Sequence, residues 1–338
     1  MHGRADSTGY APPPFRARPP WWGGDLQTLR NTVARAVGFD RFDLPGMTLT
    51  LPVSDGSGDR LIGVLNDGRG RERRPLAMLV HGLTGCHESG YMVASARRLI
   101  GLGHPVLRLN LRGAGPSAGT CRERYHAGRG RDIADAIRAL PEELTRDGIV
   151  LVGYSLGANI LLNFLAIDAA GLPVRAAATV SAPIDLAASA RRILAPRNHF
   201  YQRYLLNRMR RDWAGAALSE SERLSLREVR TIYAFDDRLV APRNGFGTAE
   251  RYYAECSGLR VLGRIGVPTL LIHAADDPWI PVAAYRDYDW TRNERLTPLI
   301  VPGGGHVGFH DSLGPPAWHD RRIGDYFAAS LRAISSAA

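Results

Sequence analysis

The chain has 338 residues, of which 45% are hydrophobic and 22% charged; this argues against a disordered or fibrous polypeptide and fits one large globular domain, with or without an insertion. Its net charge of +10 would ordinarily suggest nucleic acid or an anionic membrane as partner, but lysine is absent and the arginines are scattered from Arg4 to Arg332 without forming a stripe, so no nucleic-acid role is expected. Cys86, Cys121 and Cys256 are odd in number and form no CxxC pair, which argues against a disulfide framework and a zinc site; with no signal peptide apparent at the N-terminus, the chain reads as cytoplasmic.

In chain order, residues 1–20 are rich in proline, glycine and arginine and read as a flexible arm. Short apolar runs bounded by Gly, Pro and Asp then predict eight strands: Met47–Val53, Leu61–Leu65, Leu76–His81, Pro105–Asn110, Ile149–Val152, Val174–Ser181, Thr269–His273 and Leu296–Val301. Helix-length segments lie between or after them at Tyr91–Gly101, Arg129–Leu140, Ser155–Asp168 and Trp318–Ile334. Strands alternating with helices imply a mostly parallel sheet covered on both faces. The uncharged stretch Ile149–Ile167 is long enough to resemble a membrane span, but Gly153, Ser155, Gly157, Asn159 and Asn163 interrupt it and it divides better into a strand and a helix.

The alternation stops between Asp185 and Gly258. The expected organisation is therefore a core built from 21–184 and 259–338 with a helical lid inserted at 185–258. Within the insertion, Phe200, Tyr204, Leu205, Met209 and Trp213 fall on one helical face, expected to dock, while Arg203, Arg208, Arg210 and Arg211 mostly face elsewhere and read as solvated. A membrane-surface helix is the less favoured reading of the same pattern.

The strongest chemical signal is Gly153-Tyr154-Ser155-Leu156-Gly157, between a predicted strand and a predicted helix. Strand, sharp turn and helix around GxSxG form the known nucleophile elbow of the α/β-hydrolase fold, where the glycines permit a strained turn and the serine projects above the sheet. A serine hydroxyl needs a base to take its proton, and the base needs an orienting acid. His306 follows the last predicted strand on the loop Gly303-Gly304-Gly305, with His310 as runner-up; His273, inside a strand, reads as a core histidine. The acid is sought after Thr269–His273, where Asp276 and Asp277 compete; Asp277 keeps the spacing to Pro281 that is usual in this fold, and Asp276 is expected to brace the turn. An oxyanion needs converging N–H donors, expected from Leu156 and from Leu83 in His81-Gly82-Leu83-Thr84-Gly85, with Thr84 as the alternative. Arg112-Gly113-Ala114-Gly115 lacks GxGxxG spacing and reads as a structural turn.

These motifs, with Leu26-Gln27-Thr28, Leu109-Asn110-Leu111-Arg112-Gly113, Tyr125-His126, Ser181-Ala182-Pro183, Ala241-Pro242 with Gly245-Phe246, and Gly304-Gly305-His306-Val307-Gly308-Phe309, resemble the YheT-like branch of the α/β-hydrolases, related to the mammalian lung α/β-hydrolase group. The resemblance runs from about Pro19 to Phe309 and implies the same triad, Ser155, Asp277 and His306, with an esterase-like activity. Asp25 departs from the histidine usual before Leu-Gln-Thr, and Ala158 from a usual glycine. The expected function is hydrolysis of small-molecule carboxylic esters of small to medium acyl size, without cofactor or metal. A lipase or phospholipase at a membrane surface is the alternative, and a non-catalytic binding protein a third reading; oligomeric state is left open.

Overall fold

The computed structural model describes residues 13–36, 43–68 and 73–337. All eight predicted runs are strands: β1 (Met47–Pro52), β2 (Arg60–Asn66), β3 (Leu76–Val80), β4 (Val106–Asn110), β5 (Ile149–Tyr154), β6 (Val174–Val180), β7 (Thr269–Ala274) and β8 (Leu296–Val301). They form one sheet in the order β1-β2-β4-β3-β5-β6-β7-β8. β1 and β2 pair antiparallel, as do β2 and β4, and every later pairing is parallel.

The apolar runs are continuous because the central strands are covered on both faces. Along β5, Ile149 and Leu151 enter the layer beneath the helices Arg131–Arg138 and Leu156–Ile167. Val150 and Val152 point the other way, into the layer shared with the helices Gly90–Gly101 and Trp318–Ala337. Period-two alternation thus supplies two cores from one strand, and removing a buried leucine such as Leu151 would cost about 2–5 kcal/mol. No helix among the described residues is long and apolar enough to cross a membrane, and Ile149–Ile167 is divided between β5 and its following helix.

Between β6 and β7 the chain is helical, with no strand among the described residues. The main helices are Leu186–Leu194, His199–Ala214, Glu220–Glu228 and Ala249–Cys256. Their starts follow from polar caps: Asp185 accepts from the Ala188 N–H, Ser219 and Glu222 form a reciprocal capping box, and Thr248 accepts from Arg251 N–H. The insertion has its own apolar cluster, including Leu205, Met209, Trp213 and Phe235, and packs onto Leu83 and Leu156 of the core. The apolar face expected on His199–Ala214 is only partly right: Leu205, Met209 and Trp213 are buried, but Phe200 is 68% exposed and Tyr201 is buried instead.

Of the arm at 1–20, residues 1–12 lie outside the described residues. The remainder docks on the body: Phe15 meets Phe309 and Trp318 edge-on at 6.1 and 5.9 Å, and Ala17 bridges to Asp311. The helix Gly24–Ala36 follows, an element not drawn from the sequence pattern.

Candidate active site

Ser155 stands at the end of β5 with φ 51° and ψ −124°, a conformation that costs a non-glycine residue about 1–3 kcal/mol and is held only by its surroundings. Its N–H donates to Val180 O at 2.9 Å. The flanking glycines are required by close approach: a Cβ on Gly157 would lie 2.1 Å from His81 O, and one on Gly153 would lie 2.7 Å from Ala158 Cα.

β7 and β8 bring the other two groups to the same end of the sheet. His306 Nε2 is 2.8 Å from Ser155 Oγ, and His306 Nδ1 is 2.9 Å from Asp277 Oδ2. Asp277 is fully enclosed, and its other oxygen accepts from the N–H groups of Trp279 and Ile280 at 2.8 and 3.0 Å. Burial alone would raise its carboxyl, but the adjoining His306, His273 and the Ile280 N–H outweigh burial and hold it below the usual carboxylate range. The indole of Trp279 lies over the His306 ring at 4.3 Å.

The neighbouring carboxylate does something else. Asp276 Oδ1 accepts from Gly305 N–H at 2.9 Å, bracing the histidine loop, and burial raises its pKa. His310 is not in the line: burial and the nearby Arg30, His319 and Arg18 push its imidazole down to about 2, and its backbone N–H donates to Gln27 Oε1 at 2.7 Å. His273 stacks on Tyr285 at 4.1 Å inside the core, as a core histidine should.

The histidine loop carries unusual strain. Val307 and Phe309 have φ of 57° and 49°, and a β-branched residue there is a genuine outlier. Hydrogen bonds from distant elements hold it: His306 N–H donates to Thr28 Oγ1 at 2.8 Å, Val307 N–H to Ser181 Oγ at 3.2 Å, and the Gln27 amide donates to His310 O at 3.0 Å. Gln27 and Thr28 were visible only as members of a motif, because nothing in their local pattern says that the helix Gly24–Ala36 reaches the loop. Asp25, where the YheT-like pattern has histidine, accepts from Tyr201 Oη at 3.0 Å and Arg197 Nη2 at 2.9 Å, tying the same helix to the insertion.

Across from His306, the loop after β3 passes against the serine, with a Cβ on Gly82 due 2.8 Å from Ser155 Cβ. Thr84 N–H is occupied by Tyr125 Oη at 2.7 Å, whereas neither Leu83 N–H nor Leu156 N–H donates to another group among the described residues. The peptide that carries Leu83 N–H is polarised from behind. His81, pushed down to about 4 chiefly by burial, is neutral; Leu111 N–H donates to its Nε2 at 3.1 Å, so Nδ1–H donates to Gly82 O at 2.8 Å.

A cavity of about 320 Å³ lies between this floor and the insertion, lined by Ser155, His306, Leu83 and Leu156 below and by residues such as Met209 and Trp213 above. One expected outward residue turns in: Arg208 lines the cavity and donates to Thr84 O at 2.7 Å. It sits one helical turn after Tyr204 and one before Asp212, on the same face. Arg112, read as part of a turn, is enclosed among Asp132, Asp59 and Asp55 at 2.6, 3.2 and 2.8 Å and anchors the segment after β4. Among the described residues no His, Cys, Asp and Glu cluster has metal-holding geometry, and all three cysteines are free.

The α/β-hydrolase fold family model matches residues 75–313. YheT of Escherichia coli (strain K12) is 34% identical over 278 residues, covering 78% of this chain and 79% of the relative. A monoacylglycerol lipase of Saccharomyces cerevisiae is 27% identical over 73% of this chain and 58% of its own length. Among solved structures, the Pyrococcus furiosus esterase Pf2001 superposes with a TM-score of 0.57 at 16% identity, over 94% of this chain and 98% of that one, a likeness of fold.

Proposed function

The chain belongs to the α/β-hydrolase fold family, in its YheT-like branch, and from that premise we propose that it is a cytoplasmic serine hydrolase cleaving small-molecule carboxylic esters. The observation that carries the reading is the unbroken line from Asp277 Oδ2 through His306 to Ser155 Oγ, at 2.9 and 2.8 Å, facing a cavity with two unspent backbone donors. Ser155 Oγ attacks the ester carbonyl carbon while its proton passes to His306 Nε2; Asp277 fixes the Nδ1–H tautomer and stabilises the imidazolium. The tetrahedral oxyanion accepts from Leu83 and Leu156 N–H, and its collapse expels the alcohol, which takes the proton from His306. Water then loses a proton to His306 as its oxygen attacks the acyl carbon; collapse of the second tetrahedral intermediate breaks the bond to Ser155 Oγ, which takes the proton back from His306 as the acid leaves.

The cavity volume and its largely apolar upper wall suit an acyl group of small to medium size. One observation favours the alternative of a lipid-active enzyme: Leu194, Phe200 and Leu224 of the insertion are exposed beside exposed arginines, and one relative is named a monoacylglycerol lipase. A serine-reactive phosphonate, followed by short-chain esters, thioesters and phospholipid vesicles at two ionic strengths, tests both. Wild type is expected to label and to prefer short esters, and Ser155→Ala to stay folded while losing labelling and about 10⁴–10⁶ in kcat. Labelling retained in Ser155→Ala would remove the nucleophile assignment; salt-sensitive vesicle binding with activation at the interface would move the substrate to lipid.

A further inference from the structure

The loop that carries Leu83 is held by groups from three directions. Gly82 N–H donates to Tyr91 Oη at 3.0 Å, Thr84 N–H donates to Tyr125 Oη at 2.7 Å, and Gly85 N–H closes back on Gly82 O at 3.0 Å. These contacts come from the core. The fourth does not: Arg208 Nη2, on the insertion helix His199–Ala214, donates to Thr84 O at 2.7 Å. Thr84 itself is at φ 56°, where a β-branched residue relaxes unless its peptide groups are pinned on both sides.

Arg208 is in turn oriented. Its Nη1 donates to Tyr204 Oη at 2.9 Å, with the guanidinium carbon 5.7 Å from the centre of that ring. The helix that bears it is fixed by Leu205, Met209 and Trp213, the last edge-on to Phe235 at 5.2 Å. This charged contact between the helix and the floor therefore reaches the strained residue next to Leu83, whose N–H donates to no other group among the described residues.

We infer that Arg208 is a positioning residue through which the helical insertion sets the geometry of the oxyanion donor at Leu83. This rests on the serine-hydrolase reading above. Arg208 holds Thr84 in its left-handed conformation and so keeps the neighbouring Leu83 N–H in place at the cavity. Without Arg208, Thr84 O loses its partner, the strained residue relaxes and the donor shifts. Leu83 N–H meets full negative charge only in the tetrahedral intermediate, so its misplacement weakens the transition state more than substrate binding.

The test compares wild type with Arg208→Ala, Arg208→Lys and, on the outer side of the same helix, Arg211→Ala, in steady-state hydrolysis of a short-chain ester and in phosphonate labelling, each with a thermal midpoint. Arg208→Ala is expected to lower kcat about tenfold to a hundredfold with KM within about threefold, since a small misplacement of a reacting group can cost that much. Added guanidinium chloride at low, non-denaturing concentration should recover part of that loss, and Arg208→Lys should fall between the two. Arg211→Ala should match wild type. The inference is overturned if Arg208→Ala matches wild type, if the change lies wholly in KM, or if guanidinium gives no recovery in a protein whose thermal midpoint is unchanged. If Arg208→Ala fails to fold, the lysine variant decides by the same kcat-against-KM criterion. Wild type that neither labels nor hydrolyses would overturn the underlying serine-hydrolase reading, and this inference with it, whereas active wild type with an unaffected Arg208→Ala would overturn the inference alone.

Discussion

The floor and the roof of the cavity are built on different principles. The floor is a set of loops at the ends of β3, β5, β7 and β8 in which Thr84, Ser155, Val307 and Phe309 hold positive φ under hydrogen bonds such as Ser155 N–H to Val180 O, Thr84 N–H to Tyr125 Oη and Phe309 N–H to Gly304 O. The roof is a cluster of side chains such as Leu205, Met209, Trp213 and Phe235 carried on the helices of the insertion. Directional hydrogen bonds on strained backbone tolerate little displacement, whereas apolar contacts repack at moderate cost. Changes to the Ser155–His306–Asp277 line in the floor should therefore abolish chemistry in a stable protein, and apolar changes in the roof should weaken the protein while sparing chemistry.

After the loss of Ser155 itself, the largest expected effect separates two adjacent carboxylates of the floor. Asp277→Asn should lower kcat by about 10³–10⁴, because an amide at this position no longer fixes the His306 tautomer or balances the imidazolium. Asp276→Asn keeps an oxygen able to accept from Gly305 N–H and should lose less than tenfold in kcat, with a lower thermal midpoint. Kinetics at matched foldedness checks the pair, and the reverse ranking would transfer the acid role to Asp276.

Met209→Ala tests the roof. Met209 is 5% exposed and lines the cavity, so its truncation should cost about 2–4 kcal/mol in urea unfolding. KM should shift severalfold with kcat nearly unchanged; a collapse of kcat with KM constant would mean that roof packing also sets the floor.

The narrowest effect, visible only as a pH dependence, concerns Asp236, enclosed in the roof and accepting from Tyr253 Oη at 2.7 Å. Burial pushes its carboxyl up to about 7 from 3.8. The folded protein thus keeps a proton that the unfolded chain gives up, so this contribution to stability is whole below 3.8 and is lost as pH rises through about 7. Thermal midpoints of Asp236→Asn across that window should fall less steeply than those of wild type; parallel curves would place the pH dependence elsewhere.

The contrast also explains what could be read in advance. Ser155, Asp277 and His306 were legible because a strained elbow demands glycines at 153 and 157, and because each group follows a strand whose apolar run marks it. The sequence points to Leu83 with Thr84 as the alternative, and the reason Thr84 N–H is spent, the Tyr125 hydroxyl, lies 41 residues away in sequence. Arg208 departs from its expected solvated position: helical periodicity assigns charged residues to the outside, and no local rule marks one that will meet the Thr84 carbonyl across a cavity.

By itself, then, the sequence determined the strands, the alternation that makes two cores from one sheet, and the three side chains that meet at its end, since all of these are written in neighbouring residues or in a fixed period. Tertiary structure alone decided which carbonyl Arg208 reaches, that Thr28 holds the His306 N–H, and that Asp25 ties the N-terminal helix to the insertion at Tyr201 and Arg197. Those contacts join segments with no shared period, so their partners exist only once the sheet has brought its loops together and the insertion has settled over them.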